Sequence, residues 1–200
     1  MSSNQYFENT PDTKHDYKEF TFELRGNKLI FQTDSNVFSK STIDFGSRVL
    51  IDAFDDEKII DGDVLDVGAG YGPIGLSIAK STGRTVDMVD VNERALDLAR
   101  KNAERNLINN VNIYTSSIYD GVEKTDYAAI LSNPPIRAGK NVVHEILLKA
   151  YEHLKPGGAL LIVIQKKQGG PSAKAKMEEI FGNVEVLTKE KGYFIFQSIR

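Results

Sequence analysis

The chain has 200 residues, a net charge of −3 and no cysteine. That length supports one sizeable core, 10 Phe and 8 Tyr argue against a disordered polymer, and the charge balance excludes a polybasic tail-like protein. Absence of cysteine removes disulfides, thiolate metal ligands and cysteine nucleophiles. With a polar N-terminus and no apolar run longer than 159–164, it leads us to expect a soluble, unprocessed, cytoplasmic protein without membrane contact.

Alternation over Phe20-Thr21-Phe22-Glu23-Leu24 and Leu29-Ile30-Phe31 predicts a β-hairpin with its turn at Gly26-Asn27. Residues 39–54 read as a loop and then a short helix, so 1–62 forms an N-terminal arm, hairpin and helix packed on the main domain, 63–200. From Asp63 onward apolar runs alternate with amphipathic stretches. Strand Val64-Leu65-Asp66-Val67 leads into Gly68-Ala69-Gly70-Tyr71-Gly72-Pro73-Ile74-Gly75 and a helix. Strand 85–90, helix 93–104, strands 111–115 and 127–131, helix 142–154, the breaker Lys155-Pro156-Gly157-Gly158 and strand 159–164 follow. Segment 165–176 reads as a loop, and 184–187 with 193–196 as a closing hairpin. The fold class is therefore α/β, a doubly wound, mostly parallel seven-stranded sheet ending in an antiparallel hairpin, with an N-terminal β-hairpin extension.

The glycine loop admits two ligands. Gly70-Tyr71-Gly72-Pro73-Ile74-Gly75, with Asp90 twenty positions beyond Gly70, satisfies the dinucleotide pattern. Asp66 argues for the other, because a carboxylate beside the loop repels a pyrophosphate but can bind an ammonium group. Asp90, ending the second strand, is placed to accept from two ribose hydroxyls. A nucleoside joined to an amino acid is S-adenosylmethionine, and the pattern from Asp66 to Gly72 together with Asp90 resembles the first two motifs of class I S-adenosylmethionine-dependent methyltransferases, which have a Rossmann-like fold. The resemblance implies cofactor contacts from Asp66, Gly68, Gly70, Gly72 and Asp90, and from Ser117 where the family more often has Asp. A tight turn with helix-capping acids, and an ordinary loop serine, remain the plainer readings.

Ser132-Asn133-Pro134-Pro135-Ile136 follows the fourth strand of the main sheet, at the carboxyl edge where such sheets bind ligands. Two prolines stiffen the loop and keep their carbonyls as acceptors, so the Asn133 side-chain oxygen and the Pro134 carbonyl can receive both hydrogens of an exocyclic amine. Asn133, Pro134 and Pro135 are the candidate catalytic residues. They resemble the N-P-P-aromatic signature of amino methyltransferases acting on adenine N6, guanine N2 or protein glutamine. Ile136 departs from that signature, so Ile136 gives an apolar contact or Phe38 does the stacking. Methylation of a pyrimidine C5 through a thiolate adduct is excluded by the missing cysteine.

Phe38-Ser39-Lys40 and Ile43-Asp44-Phe45-Gly46-Ser47-Arg48, taken with the two loops, look like the small-subunit ribosomal RNA guanine-N2 methyltransferases of the C type, in a single-domain form. That resemblance implies ribosomal RNA or a ribosomal subunit as substrate. A negatively charged chain must then meet RNA through a local patch: Arg137 and Lys140 beside the acceptor loop, with Lys166, Lys167, Lys174 and Lys176 beyond it. A solvated lysine face is the bland alternative. His15, His144 and His153 are spaced for packing or surface roles, so no metal is expected, and a monomer or weak dimer is expected. Three other functions stay open: methylation of a protein glutamine or another amine, a catalytically silent cofactor-binding module, and a nicotinamide oxidoreductase.

Overall fold

The computed structural model describes residues 14–34 and 42–200, except for the side chain of Ile136. Phe38, Ser39 and Lys40 lie outside the described residues, as does any contact made by the Ile136 side chain.

Strands β1 (Lys18–Leu24) and β2 (Asn27–Thr33) pair antiparallel, with Leu24 opposite Asn27. The turn is therefore Arg25-Gly26, one residue earlier than the sequence suggested. Both residues take positive φ, 51° and 78°, as the strand-matching two-residue turn requires. Arg25 tolerates this because its guanidinium is anchored, donating to the Ile51 and Phe54 carbonyls and to Ser81 Oγ.

Helix α1 (Phe45–Ala53) leads to the main sheet, which runs β3 (Val64–Val67), α2 (Pro73–Thr82), β4 (Val86–Asp90), α3 (Glu93–Arg105), β5 (Val111–Thr115), β6 (Tyr127–Ser132), α4 (Lys140–His153), β7 (Leu154–Gln165), α5 (Gly170–Phe181), β8 (Glu185–Glu190) and β9 (Tyr193–Ile199). The strand order is β5-β4-β3-β6-β7-β9-β8, parallel from β5 to β7 and antiparallel at β7–β9 and β8–β9. The expected seven-stranded sheet is present. Two further local expectations fail. Lys155-Pro156-Gly157-Gly158 does not precede the fifth strand but lies inside β7, as an irregularity in its pairing with β6. Segment 165–176 is not a loop: a short turn, Lys166–Gln168, is followed by α5, whose Ala173 and Met177 are buried. Pro171 near its start and Gly182 in the left-handed C-cap position were the available helix signals.

Alternate strand residues face opposite layers. Val64, Val86, Met88, Leu131 and Leu161 point into a core made with the hairpin and helices α1, α2 and α3. Leu65, Val67, Val89, Ile130 and Ile162 point into a second core with α4 and α5. Leu29 and Phe31 of β2 and Leu50 of α1 are fully or almost fully buried in the first core, so the described N-terminal segment shares its apolar interior with the sheet.

A two-stranded hairpin alone is marginal in water, and α3 supplies what is missing. Asn106 accepts from the Ile30 amide through Oδ1 and donates through Nδ2 to the Ile30 carbonyl, both at 2.8 Å. Asn102, one helical turn earlier, does the same for Gln32 at 2.8 and 3.1 Å. Two asparagines spaced i, i+4 thus act as a surrogate strand for the outer edge of β2. Asn102 also donates to the Tyr71 carbonyl at 2.9 Å, tying the hairpin to the glycine loop.

Candidate functional site

The sheet places both loops singled out by the sequence side by side. Val67 of β3 is in register with Ser132 of β6, and Ser132 Oγ donates to the Val67 carbonyl at 2.9 Å. Gly68 and Asn133 are therefore the next residues on adjacent strands. On the other side of β3, Val67 is level with Val89, and Asp90 is level with Thr115 of β5. The glycine loop, Asp90, Ser116-Ser117 and Asn133 all leave the carboxyl edge of the parallel strands.

Gly68, Gly70 and Gly72 have φ of 78°, 58° and 105°, which L side chains rarely adopt. A Cβ added at Gly68 or Gly70 would meet nothing within 4 Å, whereas one at Gly75 would lie 2.7 Å from Met88 and 3.0 Å from Asp66 Oδ2. The loop is open above and tightly packed below. Its amides are largely used within the protein. Those of Gly68 and Ala69 reach the Val89 carbonyl, Gly70 reaches Asp90 Oδ2, Gly72 reaches the Ala69 carbonyl and Gly75 reaches Asp66 Oδ2; Pro73 has no amide to give. A pyrophosphate cradle needs such amides free, and two buried carboxylates beside the loop oppose an anion further. The dinucleotide reading is weakened on both counts.

Asp66 is fully buried, and its second oxygen, Oδ1, has no hydrogen-bond partner. Burial, together with the negative charge of Asp90, pushes its carboxyl up to about 7 against the opposing effect of the Gly75 bond. An orphaned carboxylate oxygen of this kind calls for a cationic or hydrogen-donating ligand. Burial also raises Asp90, although the Asn92 and Gly70 amides bound to its two oxygens partly offset this. The open face over Gly68 and Gly70 and the Asp66 oxygen fit a ligand that combines an ammonium with a nucleoside.

The two serines that follow β5 stand in different surroundings. Ser117 is exposed, with its carbonyl taking the Asp120 amide. Ser116 is buried; its amide donates to the Asp90 carbonyl and its Oγ binds the Gly121 amide and the Ile118 carbonyl. Ser116 shapes the turn and leaves Ser117 at the surface.

At the acceptor loop, Asn133 Nδ2 donates to Asp44 Oδ2 and Ser47 Oγ, both at 3.0 Å. Asp44 is the N-cap of α1, with Oδ2 also accepting from the Ser47 amide at 3.1 Å. Neither residue was given a role by the sequence reading, although both lie in the segment that carried the resemblance. The Pro135 carbonyl caps the next turn by accepting from Ala138, while the Pro134 carbonyl is not used by that turn. Arg137 is exposed in the short turn 136–138, and Lys140 is exposed at the start of α4.

Lys166 and Lys167 are exposed at the end of β7, and the Lys166 amide binds the Gly192 carbonyl in the β8–β9 turn. From that turn Lys191 Nζ lies 4.9 Å from the centre of the Phe45 ring, and Arg48 lies 5.3 Å from it. Cationic groups thus continue from β7 to the first turn of α1, a path the sequence did not reveal. Lys174 is exposed on α5, but Lys176 is engaged with Glu179. His144 contacts Ser172, His153 binds the Lys124 carbonyl and His15 pairs with Asp34. Among the described residues no group of His, Cys, Asp and Glu is placed to hold a metal, and no helix is long and apolar enough to cross a membrane.

An uncharacterised protein, YbxB, of Bacillus subtilis strain 168 is 52% identical over 198 residues, covering 98% of each chain. Ribosomal RNA small subunit methyltransferase C of Vibrio parahaemolyticus is 30% identical over 185 residues, covering 90% of this chain and 52% of that protein. In structure the chain is similar to the T. thermophilus 16S rRNA N2 G1207 methyltransferase, solved in complex with AdoMet and guanosine. The TM-score is 0.83 at 24% identity over 92% of this chain and 50% of that one. It spans about half the length of both ribosomal RNA enzymes. The methyltransferase small domain model matches residues 28–197, nearly the whole of the fold just described, and the chain belongs to that family.

Proposed function

We propose that this protein transfers a methyl group from S-adenosylmethionine to an exocyclic amine, guanine N2 of ribosomal RNA, in the cytoplasm. The observation that carries the acceptor assignment is the state of Asn133: both its amide hydrogens are engaged by Asp44 and Ser47, so its oxygen is the atom it offers at the sheet edge beside the glycine loop. Support for the RNA assignment comes from the curated ribosomal RNA methyltransferase relatives, and from the exposed Arg137, Lys140, Lys166, Lys167 and Lys191 around that edge.

In this reading Asp66, with Gly68 and Gly70, receives the amino-acid end of the methyl donor, and Asp90 receives its ribose hydroxyls. Bound S-adenosylmethionine supplies an electrophilic methyl on a sulfonium, an excellent leaving group. Asn133 Oδ1 and the Pro134 carbonyl accept the two amine hydrogens, which draws the nitrogen out of conjugation with the ring and frees its lone pair for attack. Positioning and electrostatics suffice, so no protein nucleophile is required. The proton released from the methylated nitrogen passes to solvent. Pro135 keeps the loop stiff and Ser117 stands at the rim, while Phe38 and Ile136 are the proposed base contacts.

The test is methyl transfer from labelled donor to total RNA and to ribosomal subunits of a deletion strain, followed by mapping of the labelled position. Label at a guanine N2 is expected, with Asn133→Ala retaining donor binding and losing turnover. Label that survives ribonuclease and resides in protein would overturn the RNA assignment in favour of a glutamine or other amine. Donor binding without transfer to either pool would identify a silent cofactor-binding module.

A further inference from the structure

We infer that Asp44 and Ser47 are positioning residues that set the polarity of the Asn133 amide, and so determine that the acceptor site takes a hydrogen-donating group; this rests on the role proposed above for Asn133. A carboxamide offers a ligand either an acceptor oxygen or a two-hydrogen donor, and the two orientations have nearly the same shape. Only its partners choose between them. Here Nδ2 has two acceptors at 3.0 Å, one from a carboxylate and one from a hydroxyl. Turning the amide over would set Oδ1 against the Asp44 carboxylate, two acceptors in contact with no hydrogen between them.

The arrangement is held from below. Asp44 is fixed as the N-cap of α1, and Ser47 is buried, with 3% exposed. Gly46 between them lets the Tyr193 ring pack close: a Cβ there would stand 3.0 Å from it. The first turn of α1 is thus clamped while it holds Asn133, 86 and 89 residues away in the chain. Because one partner is a full negative charge, the amide is polarised and its oxygen becomes a stronger acceptor. The site then favours a group that brings hydrogens, such as an amine, over a carbonyl oxygen or an unprotonated ring nitrogen.

The test is an exchange of charge across the Asp44–Asn133 bond, read as turnover on deletion-strain ribosomal subunits with labelled donor. Asn133→Asp alone puts two carboxylates in contact and should lower kcat about 100-fold or more. Asn133→Asp combined with Asp44→Asn replaces two facing carboxylates by a carboxamide and a carboxylate, at the cost of the bond from the Ser47 amide to Asp44 Oδ2, and should recover at least about tenfold of the lost kcat. The variants are compared at equal folded fraction, where a role limited to folding would leave kcat unchanged. Ser47→Ala should lower kcat about tenfold with the KM for the methyl donor unchanged. A folded exchanged pair as inactive as Asn133→Asp alone, or Ser47→Ala with undiminished kcat, would overturn the inference; if the exchanged pair does not fold, Ser47→Ala decides. Asn133→Ala separates the two levels. Full activity in it removes the role of Asn133 itself, whereas its inactivity beside a fully active Ser47→Ala removes only the orienting role.

Discussion

Replacing Asp66 by asparagine should stabilise the ligand-free protein at neutral and alkaline pH while abolishing its affinity for a cationic ligand. Asp66 is fully buried, one oxygen bonds the Gly75 amide at 2.9 Å and the other has no partner. Its carboxyl moves from 3.8 to about 7, first because it is buried and further because of Asp90. The folded state therefore holds this proton after the unfolded state has released it. Stability falls as pH rises from about 4 to about 7, and the penalty is complete above that range. A difference of about three pH units corresponds to roughly 4 kcal/mol. Asparagine keeps an acceptor for Gly75 but sets an amide group where the orphan oxygen stood, at about 1–3 kcal/mol, so the net gain at pH 8 is about 1–3 kcal/mol. For a chain of this size that is a rise in Tm on the order of 2–10 °C. Thermal unfolding of both proteins between pH 5 and 8 checks this: the gap between the curves should widen with pH and level off above 7. A gap independent of pH would refute the reasoning. The same ionisation governs binding, so S-adenosylmethionine affinity should fall below pH 7 and its binding should release a proton, measurable by calorimetry in buffers of different ionisation enthalpy.

Asn102→Ala should destabilise the protein by about 2–4 kcal/mol, and hydrogen exchange should accelerate first at the Gln32 amide, because that side chain closes the edge of β2 and holds the Tyr71 carbonyl. Gly75→Ala should cost about 1–3 kcal/mol through overpacking against Met88 and Asp66, and should weaken donor binding in calorimetry; an unchanged affinity would show that Asp66 is insulated from the helix. Alanine at Lys166, Lys167 and Lys191 together should reduce the salt dependence of RNA binding, the slope of log K against log salt, by about 2. Fluorescence anisotropy with a labelled single-stranded RNA measures it, and an unaltered slope would remove these lysines from the RNA path.

What could be read along the chain was what neighbours in sequence decide. Largely apolar β3 and β6, the glycines that only positive φ explains, and the Asn133-Pro134-Pro135 loop are local patterns, and the parallel order follows once strands alternate with helices. The weaker helix α5 escaped because its first two turns carry only Ala173 and Met177 as buried apolar side chains, while Ile180 and Phe181 pack on the core from its far end. The turn of the first hairpin was displaced by one residue because its strained Arg25 is anchored by carbonyls of α1 and the residue after it. Tertiary structure alone decided which partners each polar group would find. Asn102 and Asn106 meet β2 across 70 and 76 residues, Asp44 and Ser47 meet Asn133 across 89 and 86, and Asp66 is left with a bare oxygen. Backbone geometry and hydrophobic spacing act over a few residues and leave a signature there. A buried hydrogen bond between distant segments depends on how the layers close, so the sequence named Asn133 while the fold determined which acceptors its amide hydrogens meet.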